Sequence, residues 1–226
     1  MAERVKSRRR YDSPRRREQA AATRRQILAA AQELFERDGY AATSMAAIAS
    51  TAGVSLKTVY LAFETKSGLL RALWHLLLRG DEASVPVGEQ PWFREVLEQP
   101  DPARQLRLNM RNSRMVKARA GALMEVIRSA ASGEPEIDAL WARIQAEFHA
   151  NQRAIVQSLE AKGALRAGLD VAAATDVLWA LNHPSMYWLL AGDRGWAPER
   201  YEEWLGDALI SMLLQPKAAE QAEPAR

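Results

Sequence analysis

The chain has 226 residues, no cysteine, 48% hydrophobic residues and a formal charge of +3. That length holds one large or two modest domains with a true core. The missing cysteines exclude disulfides, thiolate metal sites and cysteine nucleophiles, and suit a cytoplasmic setting. No apolar run approaches the roughly 18 residues needed to cross a bilayer, and the charged N-terminus has no leader-like apolar stretch, so no membrane partner is expected.

Charge is unevenly spread. Residues 1–25 hold ten Arg and Lys against three Asp and Glu, whereas the remainder is mildly acidic. Residues 1–22 read as a basic, disordered arm, and Arg15, Arg16 and Arg17 are its candidate contacts to a polyanion. A helix is predicted from near Thr23, with Ile27, Leu28, Ala31, Leu34 and Phe35 on one face and Gly39 as its stop. Residues 43–63 then read as two short helices. Thr43 or Ser44 can cap the first and Ser55 the second, each offering a side-chain oxygen to unpaired backbone N–H groups. Gly53 sits between them, where a tight turn needs positive φ. This is the pattern of a helix-turn-helix, whose second helix can enter a DNA major groove.

Along that second helix, Val54, Val59 and Phe63 are spaced to face inward. Lys57, Thr58 and Tyr60 are left to donate to phosphates or base edges, and Leu56 and Leu61 to make apolar contacts. The next helix, predicted over residues 66–79, opens on Lys66. A cation there opposes the helix dipole, which points to a phosphate held at that N-terminus.

Residues 81–101 carry four of the prolines and glycines that break helices, with a short helix over 92–98, and read as a junction between domains. Helices are predicted over 102–117, 118–131, 135–162, 171–182 and 198–214, with breaks at Gly133, Gly163 and Asn182-His183-Pro184. No period-2 strand pattern occurs. The expected architecture is all-α, with a helix-turn-helix domain over residues 23–80, a helical domain over 81–215 and a disordered tail over 216–226.

The frame Ile27-x(6)-Leu34-Phe35, Gly39-Tyr40-x-x-Thr43-Ser44, Ile48-Ala49, Ala52-Gly53-Val54-Ser55, Thr58-x-Tyr60, Phe63-x-x-Lys66 and Leu69-Leu70 resembles the DNA-binding domain of TetR/AcrR transcriptional regulators. The resemblance implies Thr43 and Lys66 against the DNA backbone, and Ser55, Lys57, Thr58 and Tyr60 on the recognition helix. The chain departs from the family pattern at Leu56, Lys57, Leu61 and Ala62, so an operator sequence does not follow from it. The family pattern further implies a C-terminal domain that binds a small molecule and forms a homodimer on a palindromic operator.

For that dimer, the last two long helices offer Ala173, Ala174, Val177, Leu178, Leu181, Trp204, Leu205, Ala208, Leu209 and Met212, unless these stripes serve the monomer core. For a largely apolar effector, Met110, Met115, Met124, Trp141, Phe148, Trp179 and Tyr187 are candidate lining residues, though all suit an ordinary core equally well. His183 can orient a ligand or cap a kink. The histidines lack metal-ligand spacing and no phosphate loop or nucleophile motif occurs, so neither metal, cofactor nor enzyme activity is expected. The leading reading is a ligand-released dimeric repressor. The alternatives are an activator or architectural DNA-binding protein without a ligand, and an all-α enzyme or interaction domain carrying a degenerate helix-turn-helix.

Overall fold

A computed structural model describes residues 14–79 and 86–216, and among these the chain is helical with no extended strand. Two compact units result, one ending at Leu73 and the other beginning at Trp74. The division falls inside a helix rather than in the Pro- and Gly-rich segment, because the helix that opens at Lys66 continues unbroken to Arg79.

In the first unit, α1 (Pro14–Ala42) starts well before Thr23. Proline suits a first helical turn, where its missing N–H is not needed, and the Arg, Glu, Gln and Ala that follow are good helix formers. Arg15, Arg16 and Arg17 therefore stand on a helix and not in a disordered arm. The rest of that expected arm, and of the expected C-terminal tail, lies outside the described residues. Gly39, at φ 79°, interrupts the regular helix where a stop was expected. Helices α2 (Met45–Thr51) and α3 (Leu56–Phe63) follow, bent by 111° about a turn in which Gly53 adopts φ 66°. The Val54 N–H closes the turn on the Ala49 carbonyl at 3.0 Å. Ile27, Leu28, Phe35, Ile48, Val59, Phe63, Leu69 and Leu70, the last two from α4 (Lys66–Arg79), are buried.

The second unit contains a 3-10 turn at Val87–Glu89, then α5 (Pro91–Glu98), α6 (Pro102–Ala131), α7 (Pro135–Ala161), α8 (Val171–Leu181), α9 (Pro184–Tyr187) and α10 (Pro198–Leu213). Asp101 caps α6, accepting from the Arg104 N–H at 2.7 Å, and Asp170 caps α8 through the Ala173 N–H at 2.8 Å. The break expected near Lys117 is absent, and α6 is one helix of 30 residues. Its Lys-Ala-Arg-Ala-Gly run contains no residue that ends a helix while packing holds both sides. Helix α6 packs on α7 and α10, and α7 on α8. Leu106, Met110, Ile155, Val156, Leu159, Ala174, Leu178, Leu205 and Leu209 form the buried core between them. After α9 the backbone widens into a π-turn over Trp188–Asp193.

Gly121 is where α6 meets that π-turn. A Cβ there would lie 2.9 Å from Cζ2 of Trp188, so the indole lies directly against the glycine backbone. Gly121→Val is expected to lower stability by about 1–3 kcal/mol through overpacking. Urea unfolding measures it, and an unchanged midpoint would show that Trp188 is free to move aside.

Candidate functional site

The two short helices are capped locally. The Ser44 side chain accepts from the Ala47 N–H and that of Ser55 from the Thr58 N–H, both at 3.1 Å. Each such cap contributes about 1 kcal/mol. Burial of Val59 and Phe63 fixes which face of α3 points inward. The opposite face carries Leu56, Lys57, Tyr60 and Leu61, all exposed, with Tyr60 at 49% and Leu61 at 77%. Large side chains stand in solvent there with donor groups between them.

Arg16 lies beside that face. A shallow groove between α1 and α3 is lined by Arg16, Gln19, Thr23, Arg24, Thr58 and Leu61 among others. Arg24 closes its floor, with its guanidinium 4.0 Å over the Phe63 ring and donating to the Ala62 carbonyl at 2.6 Å. The early start of α1 thus brings a basic side chain to the recognition helix on a rigid element.

Two residues expected against the DNA backbone have partners within the chain. Thr43 is only 3% exposed, and its hydroxyl donates to the carbonyls of Gly39 at 2.8 Å and Leu34 at 3.2 Å. Its side chain closes the end of α1 instead of reaching a phosphate. Lys66 places Nζ 2.9 Å from the Tyr40 carbonyl and 3.0 Å from that of Thr43, and 4.0 Å over the Tyr40 ring. The dipole argument identified an unusual cation correctly, but the negative charge it meets is carbonyl oxygen from the protein itself. The turn before it is tight. The Thr65 N–H reaches the Phe63 carbonyl at 2.6 Å across Glu64, whose φ of 60° stores strain of about 1 kcal/mol or more.

The second unit encloses a cavity of about 100 Å³. Trp74, Leu78, Trp92, Phe93, Met124 and Phe148 supply apolar walls, while Asn109, Ser113, Lys117, Gln152 and Asn182 supply polar groups. Of the expected lining residues, Met124 and Phe148 are there. Met110 and Tyr187 are buried in the core, Met115 is exposed, and Trp141 and Trp179 lie elsewhere on α7 and α8. His183 does not line the cavity; its ring accepts from the Ser185 N–H at 3.3 Å and so caps α9. Burial lowers its pKa, helped by the charges of Lys117 and Arg128.

Lys117 was missed because a lysine between Val116 and Ala118 reads as surface. The signal was its register: Ala103, Leu106, Met110, Ser113, Lys117, Ala120, Met124 and Ile127 repeat at alternating three- and four-residue steps, so it lies on the inner stripe of α6. Nζ donates to Asn182 Oδ1 at 2.7 Å and to the Tyr201 hydroxyl at 3.2 Å. Asn182 also accepts from Ser113 and donates to Gln152. Burial alone pushes the Lys117 amine down to about 7.

The expected dimer seam divides. Ala174, Leu178, Leu205 and Leu209 are fully buried within the chain and cannot face a second copy. Ala173, Val177 and Leu181 on α8, with Trp204, Ala208 and Met212 on α10, keep partial or full exposure at i, i+4, i+8 spacing. Both helices carry two apolar edges, and the sequence pattern merged them.

The geometry defines a protein with an N-terminal helix-turn-helix unit and a separate helical unit enclosing an apolar cavity. Residues 27–73 match the sequence pattern of the bacterial regulatory proteins of the tetR family. The HTH-type transcriptional regulator AcrR of Shigella flexneri is 30% identical over 113 residues, which are 49% of this chain and 50% of AcrR, so the chain aligns with only about half of that relative. NalD, the secondary repressor of the MexAB-OprM multidrug efflux pump in Pseudomonas aeruginosa, shares the fold with a TM-score of 0.68 at 23% identity, covering 87% of this chain and 99% of NalD. SmeT from Stenotrophomonas maltophilia in complex with triclosan gives 0.69 at 19%, covering 91% and 99%. A regulator from Saccharomonospora viridis in complex with choline gives 0.68 at 18%, covering 86% and 99%. Over residues 27–73 the chain thus carries the tetR-family pattern, and its fold is shared with these regulators.

Lys66→Met removes the donor to two carbonyls. It is expected to destabilise the helix-turn-helix unit by about 1–3 kcal/mol in the absence of DNA. Thermal unfolding followed by circular dichroism measures this, and an unchanged transition would return Lys66 to the role of a phosphate contact.

Proposed function

We propose that the chain is a dimeric DNA-binding repressor released from its operator by a small molecule, acting in the cytoplasm where that DNA lies. The observation that carries the reading is the outward face of α3. A helix held rigidly by caps, by Val59 and Phe63 and by the Lys66 clamp presents Lys57, Thr58, Tyr60, Leu56 and Leu61 together, with Arg16 alongside. A helix of this kind docks in the major groove, its donors meeting phosphates and base edges and its leucines meeting thymine methyls. Ser44 and Ser55, exposed at the two helix N-termini, stand where backbone N–H groups favour phosphate, and Arg15 and Arg17 extend the basic surface of α1.

Two copies are required to read a palindromic site, and the exposed stripes of α8 and α10 supply the self-complementary surface. The cavity supplies the effector site. Its walls include Trp74 and Leu78 from α4, the same helix whose first residue clamps the helix-turn-helix. An effector that favours one placement of that helix over another shifts the population of DNA-competent dimers, and DNA must weaken effector binding by the same factor. The triclosan and choline complexes of SmeT and the S. viridis regulator are in keeping with an effector here.

Mobility-shift titration against the DNA upstream of the chain's own coding sequence tests the reading. Tyr60→Ala is expected to weaken binding by about tenfold or more with the fold intact. Replacing Arg15, Arg16 and Arg17 together with Ala is expected to flatten the dependence of log K on log salt by about 0.9 for each phosphate that is no longer neutralised. Wild-type affinity in the Tyr60 variant would overturn the assignment of α3.

Sedimentation tests the dimer. Ala208→Glu, joined with Val177→Glu, is expected to give the mass of one chain in place of two. A dimer that survives both charges would place the interface elsewhere.

A further inference from the structure

Among the described residues, the cavity of the second unit holds a buried amine without a carboxylate partner. Lys117 is 4% exposed, and the groups that touch its Nζ, Asn182 Oδ1 and the Tyr201 hydroxyl, are neutral. Those two bonds leave one N–H of an ammonium unspent. Of the carboxylates of α10 near Tyr201 in sequence, Glu202 and Glu199 pair with Arg114 at 2.6 and 3.3 Å, and Glu203 is exposed. Glu147, which also lines the cavity, accepts from the Val87 N–H at 3.1 Å. Burial pushes the Lys117 amine down.

A second polar group faces the same cavity. Asn109 is 5% exposed, and its Nδ2 is a buried donor with no partner among the described residues. Asn109 and Lys117 lie two turns apart on α6, about 12 Å along the axis. The walls between them are aromatic and apolar: Trp92, Phe93, Phe148 and Val116. Buried donors with nothing to accept from them are costly, and a buried ammonium is the costliest of these. Lys117 and Asn109 therefore favour an acceptor, at Lys117 a negatively charged one, while Gln145 Oε1, a buried acceptor of the same lining with no partner among the described residues, calls for a donor.

We propose that the effector is an apolar acid, a molecule with a flat or elongated hydrocarbon body and one carboxylate or comparably acidic group, whose anion pairs with Lys117 inside the cavity. The inference rests on the cavity being the effector site and adds the chemistry that site selects. A cationic ligand would meet the aromatic walls favourably but would bring a second positive charge to a buried amine.

The test uses three probes of one shape and different charge, namely naphthoate, naphthamide and naphthylmethylammonium, titrated into the full chain without DNA. Trp74 and Trp92 line the cavity, so tryptophan quenching reports occupancy. Naphthoate is expected to bind about tenfold to a hundredfold more tightly than naphthamide, and the ammonium probe most weakly. In Lys117→Met the advantage of naphthoate is expected to vanish while naphthamide binds as before. Equal binding of the three by the wild-type chain, tighter binding of the ammonium probe, or no binding of naphthoate up to its solubility would overturn the proposal without needing any variant to fold. A parallel mobility-shift arm separates the two readings. Naphthoate that fills the cavity with the expected charge preference yet leaves DNA bound would sink the release mechanism and leave the chemistry of the site standing.

Discussion

The ammonium of Lys66, seated on the carbonyls of Tyr40 and Thr43, ties the end of α1, the start of α2 and the head of α4 into one body. The position of α3 depends on that tie. A helix of eight residues has no stability of its own, and α3 is joined to α4 by a turn in which Glu64 is held at positive φ. Such a turn persists only where its surroundings over-determine it. Buried Thr43 contributes from the other side, binding back to Gly39 and Leu34, so that the polar groups released by the interruption at Gly39 are paired again. The rigidity of the recognition face is in this sense a property of the residues behind it.

Helix α4 has a second cationic partner at its far end. Arg119 donates to the carbonyls of Leu77 and Leu78. These are the orphan acceptors of a helix C-terminus, and a guanidinium there satisfies them and complements the helix dipole. The last turns of α4 also give Trp74 and Leu78 to the cavity wall.

Much of this was legible in order along the chain. Serine caps, a glycine in the turn and the inward spacing of Val59 and Phe63 depend on local rules, and the observed α2, α3 and α4 follow them closely. The N-terminus was misread because a run of arginines resembles a solvated tail, although proline followed by Arg, Glu, Gln and Ala is equally a helix start. The single α6 was divided near Lys117, where no residue ends a helix; Lys117 and Gly121 are interior positions, one facing a cavity and the other making room for Trp188. The cavity itself was the least legible part. Its walls come from α4, α5, α6, α7 and the α8–α9 junction, and nothing local encodes which methionine or tryptophan meets a void and which meets a neighbour. The dimer stripes show the same limit, since Ala174 and Ala173 differ only in which edge of one helix they occupy.

Lys117 occupies the kind of position that folding alone does not select. A leucine or methionine in its place would continue the stripe of α6 and avoid desolvating a charge, a substitution that is often neutral or stabilising for buried ions. The surrounding residues answer it with dipoles and no charge: an amide oxygen already shared with Ser113, and a tyrosine hydroxyl whose own ionisation burial pushes further out of reach. Networks of this kind are worth their cost when every member is satisfied. This one stops short, with one N–H of the Lys117 ammonium unspent and its pKa pushed down to about 7 by burial. A polar cluster left incomplete on one side, and open on that side to an aromatic cavity, is completed by what enters the cavity. The stability forgone in the empty protein is then recovered on binding, so the same residues that weaken the core set the difference in free energy that an effector can use.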